Sequence, residues 1–225
     1  MGQITDNVRK INDIIFETAQ RAGRSFSDIK LIAVSKGFGI EQIKEAIDAG
    51  LTNFGENKVQ EALPKIQFFN KYPQIKWYMI GHLQTNKTKI CVEFFDEIHS
   101  VDSIKLLKKL NEQAKKCGKI VPVLLEVNVS GEETKFGVPF EKFESFIEEV
   151  NQTNFENVQM QGLMTIAPFS QNPEDSRPYF RKLAFLAKKY NFRHLSMGMS
   201  NDFAVAIEEG ATIIRIGTAI FGQRF

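Results

Sequence analysis

The chain has 225 residues, 43% apolar and 25% charged, with a formal net charge of +2. That length and balance suit one globular domain with a sizeable core and give no electrostatic case for nucleic acid or an anionic membrane as the main partner. Cys91 and Cys117 form no C-x-x-C pair or His/Cys cluster, charges interrupt the N-terminal apolar runs, and no stretch nears a membrane span, so a cytoplasmic protein with reduced thiols is expected.

Ile4, Val8, Ile11, Ile15 and Ala19 recur at steps of three and four and predict an amphipathic helix ending near Gly23. The first strand is Leu31–Lys36, turned at once by Gly37 and Gly39, and a helix over Glu41–Ala49 stops at Gly50. A short strand Asn53–Asn57, a helix Val59–Lys71 with Pro64 early in it, and a third strand Lys76–Gly81 follow. Asn86–Phe95 reads as helix and Glu97–Val101 as the fourth strand, and Asp102 or Ser103 caps the helix that runs to Lys116. The remaining strands are Val121–Val129, Val158–Ile166, Arg193–Met197 and Thr212–Ile216, separated by helices over Phe140–Val150, Arg177–Tyr190 and Asp202–Glu209.

A leading helix followed by eight Val/Ile/Leu-rich strands and seven alternating helices predicts a single (β/α)8 TIM barrel over residues 1–225, with the N-terminal helix covering the barrel end that a final helix would normally cover. An open doubly wound sheet is the alternative, with fewer strands as a rule. In barrels of this kind the chemistry gathers at the carboxyl ends of the strands. Those ends here carry Lys36, Asn57, Gly81-His82, Asp102, Asn128, Met164-Thr165, Gly198-Met199-Ser200 and Arg215-Ile-Gly217-Thr218. Lys30, Lys76 and Arg193, at the opposite ends, read as solvated charge.

Alternation puts Ile32, Val34 and Lys36 on one face of the first strand and Ile213, Arg215 and Gly217 on one face of the eighth. Neighbouring first and eighth strands would bring Lys36 and Arg215 to the same mouth, where an anionic ligand would relieve their repulsion. Ser196, Gly198, Ser200, Gly217 and Thr218 offer hydroxyls and backbone N–H groups in the last two turns, the common phosphate site of such barrels. Tight turns and helix caps are the plainer account of the same residues. A lone lysine at a strand tip is ordinarily a surface cation, and only this convergence lifts it above that reading. Glu126 and Asn128 share a face of the fifth strand, pointing either into the barrel or toward the helices. His82, His99 and His194 are too scattered to suggest a metal site.

Val34-Ser-Lys36, Phe54-Gly-Glu-Asn57, Ile80-Gly-His-Leu-Gln-Thr-Asn-Lys87, Gly162-Leu-Met164, Leu195-Ser-Met-Gly-Met-Ser200 and Arg215-Ile-Gly-Thr-Ala-Ile-Phe-Gly222 resemble the pyridoxal phosphate homeostasis proteins, a single-domain, alanine-racemase-like family. The likeness runs from the leading helix to the terminal Gly222-Gln-Arg-Phe225. It implies a fold-type-III barrel in which Lys36 forms a Schiff base with pyridoxal 5′-phosphate (PLP) and Asn57 lies beside the ring. It further implies that Ser196, Ser200, Gly217 and Thr218 hold the phosphate, that Gly198, Met199 and Met164 line the site, and that Arg215 faces the pyridine nitrogen. His82 stands where some members carry proline and receives no cofactor role.

A Schiff base needs an amine that is unprotonated near neutral pH, which partial burial and Arg215 both favour at Lys36. An arginine beside the pyridine nitrogen also disfavours its protonation and weakens the ring as an electron sink. The expectation is a cytoplasmic, monomeric PLP carrier that stores, buffers or delivers the cofactor, in transient contact with PLP-dependent apoenzymes. A weakly active PLP-dependent racemase or decarboxylase is the alternative. A racemase needs acid/base groups on both faces of the substrate, and in the two-domain racemases a tyrosine of a second domain serves one of them. Tyr72, Tyr78, Tyr179 and Tyr190 are expected on helices or within a strand, away from the mouth. An RNA-binding module built on the lysines of 105–119 is a third reading, without interleaved aromatic residues to support it.

Overall fold

In the computed structural model, residues 2–223 are described; Met1 and the Arg224 and Phe225 of the terminal motif lie outside them. The elements in chain order are α1 (Gln3–Arg21), β1 (Lys30–Val34), α2 (Ile40–Asp48), β2 (Asn53–Glu56), α3 (Val59–Phe69), β3 (Lys76–Met79), α4 (Thr88–Phe94), β4 (Glu97–Val101), α5 (Ile104–Lys116), β5 (Val121–Asn128), β6 (Val138–Pro139), α6 (Phe143–Gln152), β7 (Val158–Met164), α7 (Arg177–Lys189), β8 (His194–Ser196), α8 (Phe203–Glu208), β9 (Ile213–Ile216) and α9 (Thr218–Phe221). The strands are parallel and run β4-β3-β2-β1-β9-β8-β7-β5, and a further β4–β5 pairing closes the barrel. The two-residue β6, unforeseen from sequence, adds to the end of β5 through Val127 and Val138.

Closure explains the composition of the strands, because each is buried on two faces. The outward set (Ala33, Phe54, Trp77, Met79, Ile98, Leu125, Leu163, Ile214 and Ile216 among others) packs with the apolar faces of the helices into one continuous cluster. The inward set is small: Ile32, Tyr78, Leu124, Met164 and Ile213 fill the barrel axis, with Ile80 beside them. Each fully buried Ile or Leu contributes about 1.5–3 kcal/mol relative to exposure, so the outer layer carries most of the stability and the axis is left room for polar residues.

The leading helix does not cover a barrel end. It buries Ile4, Val8, Ile11, Ile15 and Ala19 and packs against α2, α8 and α9. There it fills the place in the helical ring that the four-residue α9 is too short to fill. Asn7 Nδ2 donates to the Ile220 carbonyl at 2.9 Å, and the Ile4 N–H donates to Glu45 Oε1 at 3.1 Å. Ser103, not Asp102, caps α5, accepting from the Leu106 N–H at 3.3 Å. Pro64 lies inside α3, which begins at Val59, so the proline does not delay the helix start. Two expected helix starts are 3-10 turns instead, at Thr85–Lys87 and Phe140–Lys142. None of the described helices is long and apolar enough to cross a membrane.

Candidate functional site

The first and last barrel strands pair in register, Ile32 opposite Arg215 and Ala33 opposite Ile216. Ile32 and Ile213 both belong to the interior cluster, so Arg215, two residues after Ile213, also points inward. Lys36 follows the end of β1 by two residues, in a turn where Gly37 takes a φ of 78°. That turn is pinned from two sides. Phe38 stacks on Phe221 of α9 at 4.8 Å between ring centroids. Behind it, the Lys65 ammonium of α3 donates to the Ser35 carbonyl at 2.8 Å and to Glu56 Oε1 at 2.6 Å, and Ser35 Oγ donates to the same oxygen at 2.7 Å.

Asn57 follows the last residue of β2, and its Oδ1 is buried without a hydrogen-bond partner among the described residues. Gly81 lets the next strand's exit loop approach it: a Cβ there would stand 2.4 Å from the Asn57 carbonyl oxygen. Glu126 points inward. It is 5% exposed, Oε2 has no partner among the described residues, and burial with Asp102 nearby pushes its carboxyl up to about 7 against the pull of Arg215. Two orphaned buried oxygens at the carboxyl ends of the strands are what a polar ligand would satisfy.

Arg215 is 3% exposed and donates from Nη1 to Ser196 Oγ at 2.7 Å and from Nη2 to the Thr165 carbonyl at 2.8 Å. Burial lowers its pKa to about 10, with Glu126 and Asp202 opposing, so the guanidinium stays a cation at neutral pH. The Ser196 hydroxyl, expected in the phosphate cradle, is instead fully buried between Arg215 and His99. Met164 is fully buried in the barrel packing, a floor beneath the mouth.

The remaining cradle residues do gather. The Ala219 N–H donates to Ser200 Oγ at 3.2 Å, joining the turn after β8 to the start of α9. Gly198 takes a φ of 91°, and a Cβ on it would stand 2.5 Å from Ala206, so only glycine lets this turn lie on α8. The Met199 N–H donates to Asp202 Oδ1 at 2.7 Å. Gly217 lies against Val34 of β1 and Thr218 opens α9, where the first N–H groups of a helix have no intrahelical acceptor.

Asn128 and His82, which have no role assigned from the sequence, both make contacts in the loops at the mouth. Asn128 anchors the loop after β5, donating to the Glu132 and Lys135 carbonyls and accepting from Ser130 Oγ and the Gly131 N–H. That loop carries Phe136, whose ring stacks on His82 at 4.0 Å and 13°. His82 Nδ1 lies 3.5 Å from Asp102 Oδ2. The inward Glu97 and His99 of β4, and the buried Lys65–Glu56 pair, were not singled out as site residues from sequence at all.

The alanine racemase N-terminal domain family matches residues 2–224. A pyridoxal phosphate homeostasis protein of Aquifex aeolicus is 45% identical over 97% of both chains. One from Vibrio alginolyticus is 40% identical over 100% of this chain and 99% of its own. Among solved structures, PipY of Synechococcus elongatus with PLP bound superposes with a TM-score of 0.82 at 34% identity, covering 98% of this chain and 100% of its own.

Proposed function

The chain belongs to the pyridoxal phosphate homeostasis protein family, within the alanine racemase N-terminal domain fold, and from that premise we propose that it binds PLP and serves its homeostasis as a carrier. The observation that carries the reading is the pair of buried, unpartnered oxygens, Asn57 Oδ1 and Glu126 Oε2, on the ring of residues that includes Lys36 and Arg215. When bound, the cofactor supplies an aldehyde for a covalent tether and a pyridine ring able to take up electron density.

The protein's residues divide the remaining work. Lys36, held by the Phe38–Phe221 stack in front and the Lys65–Glu56–Ser35 cluster behind, is the tether. Arg215 directs a guanidinium donor at the ring nitrogen and, remaining a cation itself, discourages a proton there. Asn57 donates or accepts beside the ring, over the floor made by Met164. Ser200, Gly198, Met199, Gly217 and Thr218 form the phosphate turn; Ser196 serves Arg215 and is not part of it.

The carrier reading rests on what the second face of the ring would meet. Tyr78 sits low in the barrel, its hydroxyl donating to Asn53 Oδ1 at 3.0 Å. Tyr72, Tyr179 and Tyr190 pack in the outer helical layer. No tyrosine among the described residues is therefore placed to act as the second proton-transfer group. Turnover, if it occurs, would call on His82 beside Asp102. The protein is read as a cytoplasmic monomer that meets PLP-dependent apoenzymes transiently.

The test is the absorbance spectrum of the protein with PLP. A Schiff-base band that borohydride bleaches is expected, and Lys36→Ala removes it; a band that survives this change refutes the tether. Incubation with L-alanine is expected to leave its configuration unchanged, and rapid racemisation would establish an enzyme instead.

A further inference from the structure

Below Arg215 the barrel axis holds a buried polar chain that PLP binding does not by itself require. Ser196 Oγ, which accepts from Arg215, lies 3.1 Å from His99 Nδ1; His99 Nε2 lies 3.1 Å from Glu97 Oε1; and Lys30 Nζ lies 3.8 Å from Glu97 Oε2. His99 and Ser196 are fully buried and Glu97 is 7% exposed. Lys30, expected as solvated charge, is half-buried and also stands 5.1 Å from the Tyr78 ring centre.

The donors and acceptors can be assigned. Arginine has no acceptor, so Arg215 donates to Ser196, and the Ser196 O–H is left to donate to His99 Nδ1. An ionised carboxylate only accepts, so His99 Nε2–H donates to Glu97. Burial opposes ionisation of Glu97, but the hydrogen bond from His99 and the Lys30 charge hold its carboxyl below the usual range. His99 is correspondingly kept neutral by burial and by Arg215 and Lys30, against the pull of Glu97. It also meets the edge of the Tyr78 ring, 5.6 Å between centroids. Each hydrogen bond from Arg215 to Glu97 points the same way, from the guanidinium at the carboxyl end toward a carboxylate at the amino end.

We propose that His99 and Glu97 are positioning residues for Arg215, holding its guanidinium toward the cofactor ring through Ser196. The inference rests on the reading that Arg215 faces the ring. A hydrogen bond to a charged group contributes about 1.5–3 kcal/mol, so freeing the guanidinium corresponds to a loss of affinity on the order of tenfold or more.

The experiment has two arms. In PLP-free protein, nitrogen-15 NMR of the His99 imidazole is expected to show the neutral Nε2–H form, and Ser196→Ala is expected to move the Nδ1 resonance to that of a nitrogen without a donor. In PLP-loaded protein, Ser196→Ala and Glu97→Gln are expected to weaken PLP binding on the order of tenfold and to displace the absorbance band. A wild-type His99 found as the Nδ1–H form or as imidazolium overturns the chain without reference to PLP. If Arg215→Lys moves the band but Ser196→Ala and Glu97→Gln do not, the positioning role falls and the ring contact stands. If Arg215→Lys leaves the band unmoved, the ring contact itself falls.

Discussion

The Lys65 ammonium lies 2.6 Å from Glu56 Oε1, in a pocket where the Glu56 side chain is fully buried and that of Lys65 is 11% exposed. The pair sits behind the Lys36 turn, on the outer face of β1 and β2, and its hydrogen bonds reach the Ser35 hydroxyl and carbonyl. Glu56 Oε2 has no partner among the described residues, so losing Lys65 would leave a buried carboxylate supported by one serine. Removing one partner of a buried pair costs about 3–5 kcal/mol. Lys65→Met is expected to destabilise the protein by roughly that amount in urea denaturation, and to weaken PLP binding by loosening Ser35. A double change, Lys65→Met with Glu56→Gln, is expected to recover part of the stability; full loss in both variants would show that packing of the Lys65 stem dominates.

Glu126 has the opposite kind of burial, a carboxyl without a cation in contact. Its folded-state pKa rises from 4.5 to about 7 because burial disfavours the charge and Asp102 repels it. Between those pH values the folded protein keeps a proton that the unfolded chain releases, so stability falls as pH rises from about 4.5 to about 7 and stays lower above it. At about 1.4 kcal/mol per unit of pKa, the effect is on the order of 3 kcal/mol. Glu126→Gln is expected to stabilise the PLP-free protein at pH 8 and to have little effect at pH 4. Thermal melts of both proteins across this range check it; a stability difference that does not change with pH would mean that Glu126 is ionised in the fold or solvated in solution.

The alternation of Ile32, Val34 and Lys36, and of Ile213, Arg215 and Gly217, was legible in the sequence because period-two patterning survives in any strand. So was the count of eight barrel strands, though not β6, and with it the adjacency of β1 and β9. What the pattern hid lay where both faces of a strand are buried. Glu97 and His99 alternate with Ile98, which on an ordinary sheet would put the polar pair in solvent; in a closed barrel the helices take the apolar face and the polar pair is driven inward. Signals for it were available once eight strands had been counted. Lys65 was harder, because a lysine on an amphipathic helix reads as exterior, and only the turn geometry beside Ser35 shows it buried. Ser196 was read as part of a Ser-rich phosphate turn, since sequence alone cannot say that Arg215 and His99 already enclose its hydroxyl.

Gly81 is expected to be intolerant of even the smallest side chain, although its backbone angles do not demand glycine. A Cβ would stand 2.4 Å from the Asn57 carbonyl oxygen and 2.6 Å from its Cα, and backbone atoms cannot swing away as a side-chain tip can. Overpacking of this kind costs about 1–3 kcal/mol, and relief requires the end of β2 to move. Gly81→Ala should therefore weaken PLP binding by more than its loss of stability explains, because Asn57 is displaced. Titration of PLP into the variant, set beside its denaturation midpoint, separates the two; unchanged affinity with reduced stability would mean that Asn57 does not meet the cofactor.

Phe136 is 55% exposed, yet its ring lies flat on His82, 4.0 Å away, while Asn128 ties the loop that carries it to the end of β5. Gly137 follows at a φ of 109°, and a Cβ there would stand 2.7 Å from the Asn128 backbone nitrogen, so the loop turns back tightly against its own strand. The stack thus joins the loops after β3 and β5 across one side of the mouth. On the proposed carrier reading, PLP leaves past this join and the stack contributes to the barrier to release. Aromatic pairs contribute about 0.5–1.5 kcal/mol beyond the area they bury, which corresponds to a rate effect of roughly twofold to tenfold. Phe136→Ala is expected to speed PLP release by that factor while leaving the denaturation midpoint nearly unchanged, since an exposed ring adds little to the core. Stopped-flow transfer of PLP to an excess of an aldehyde-trapping amine measures the rate. An unchanged rate would show that the His82–Phe136 join lies off the exit path, and a slower one would show that the ring assists departure.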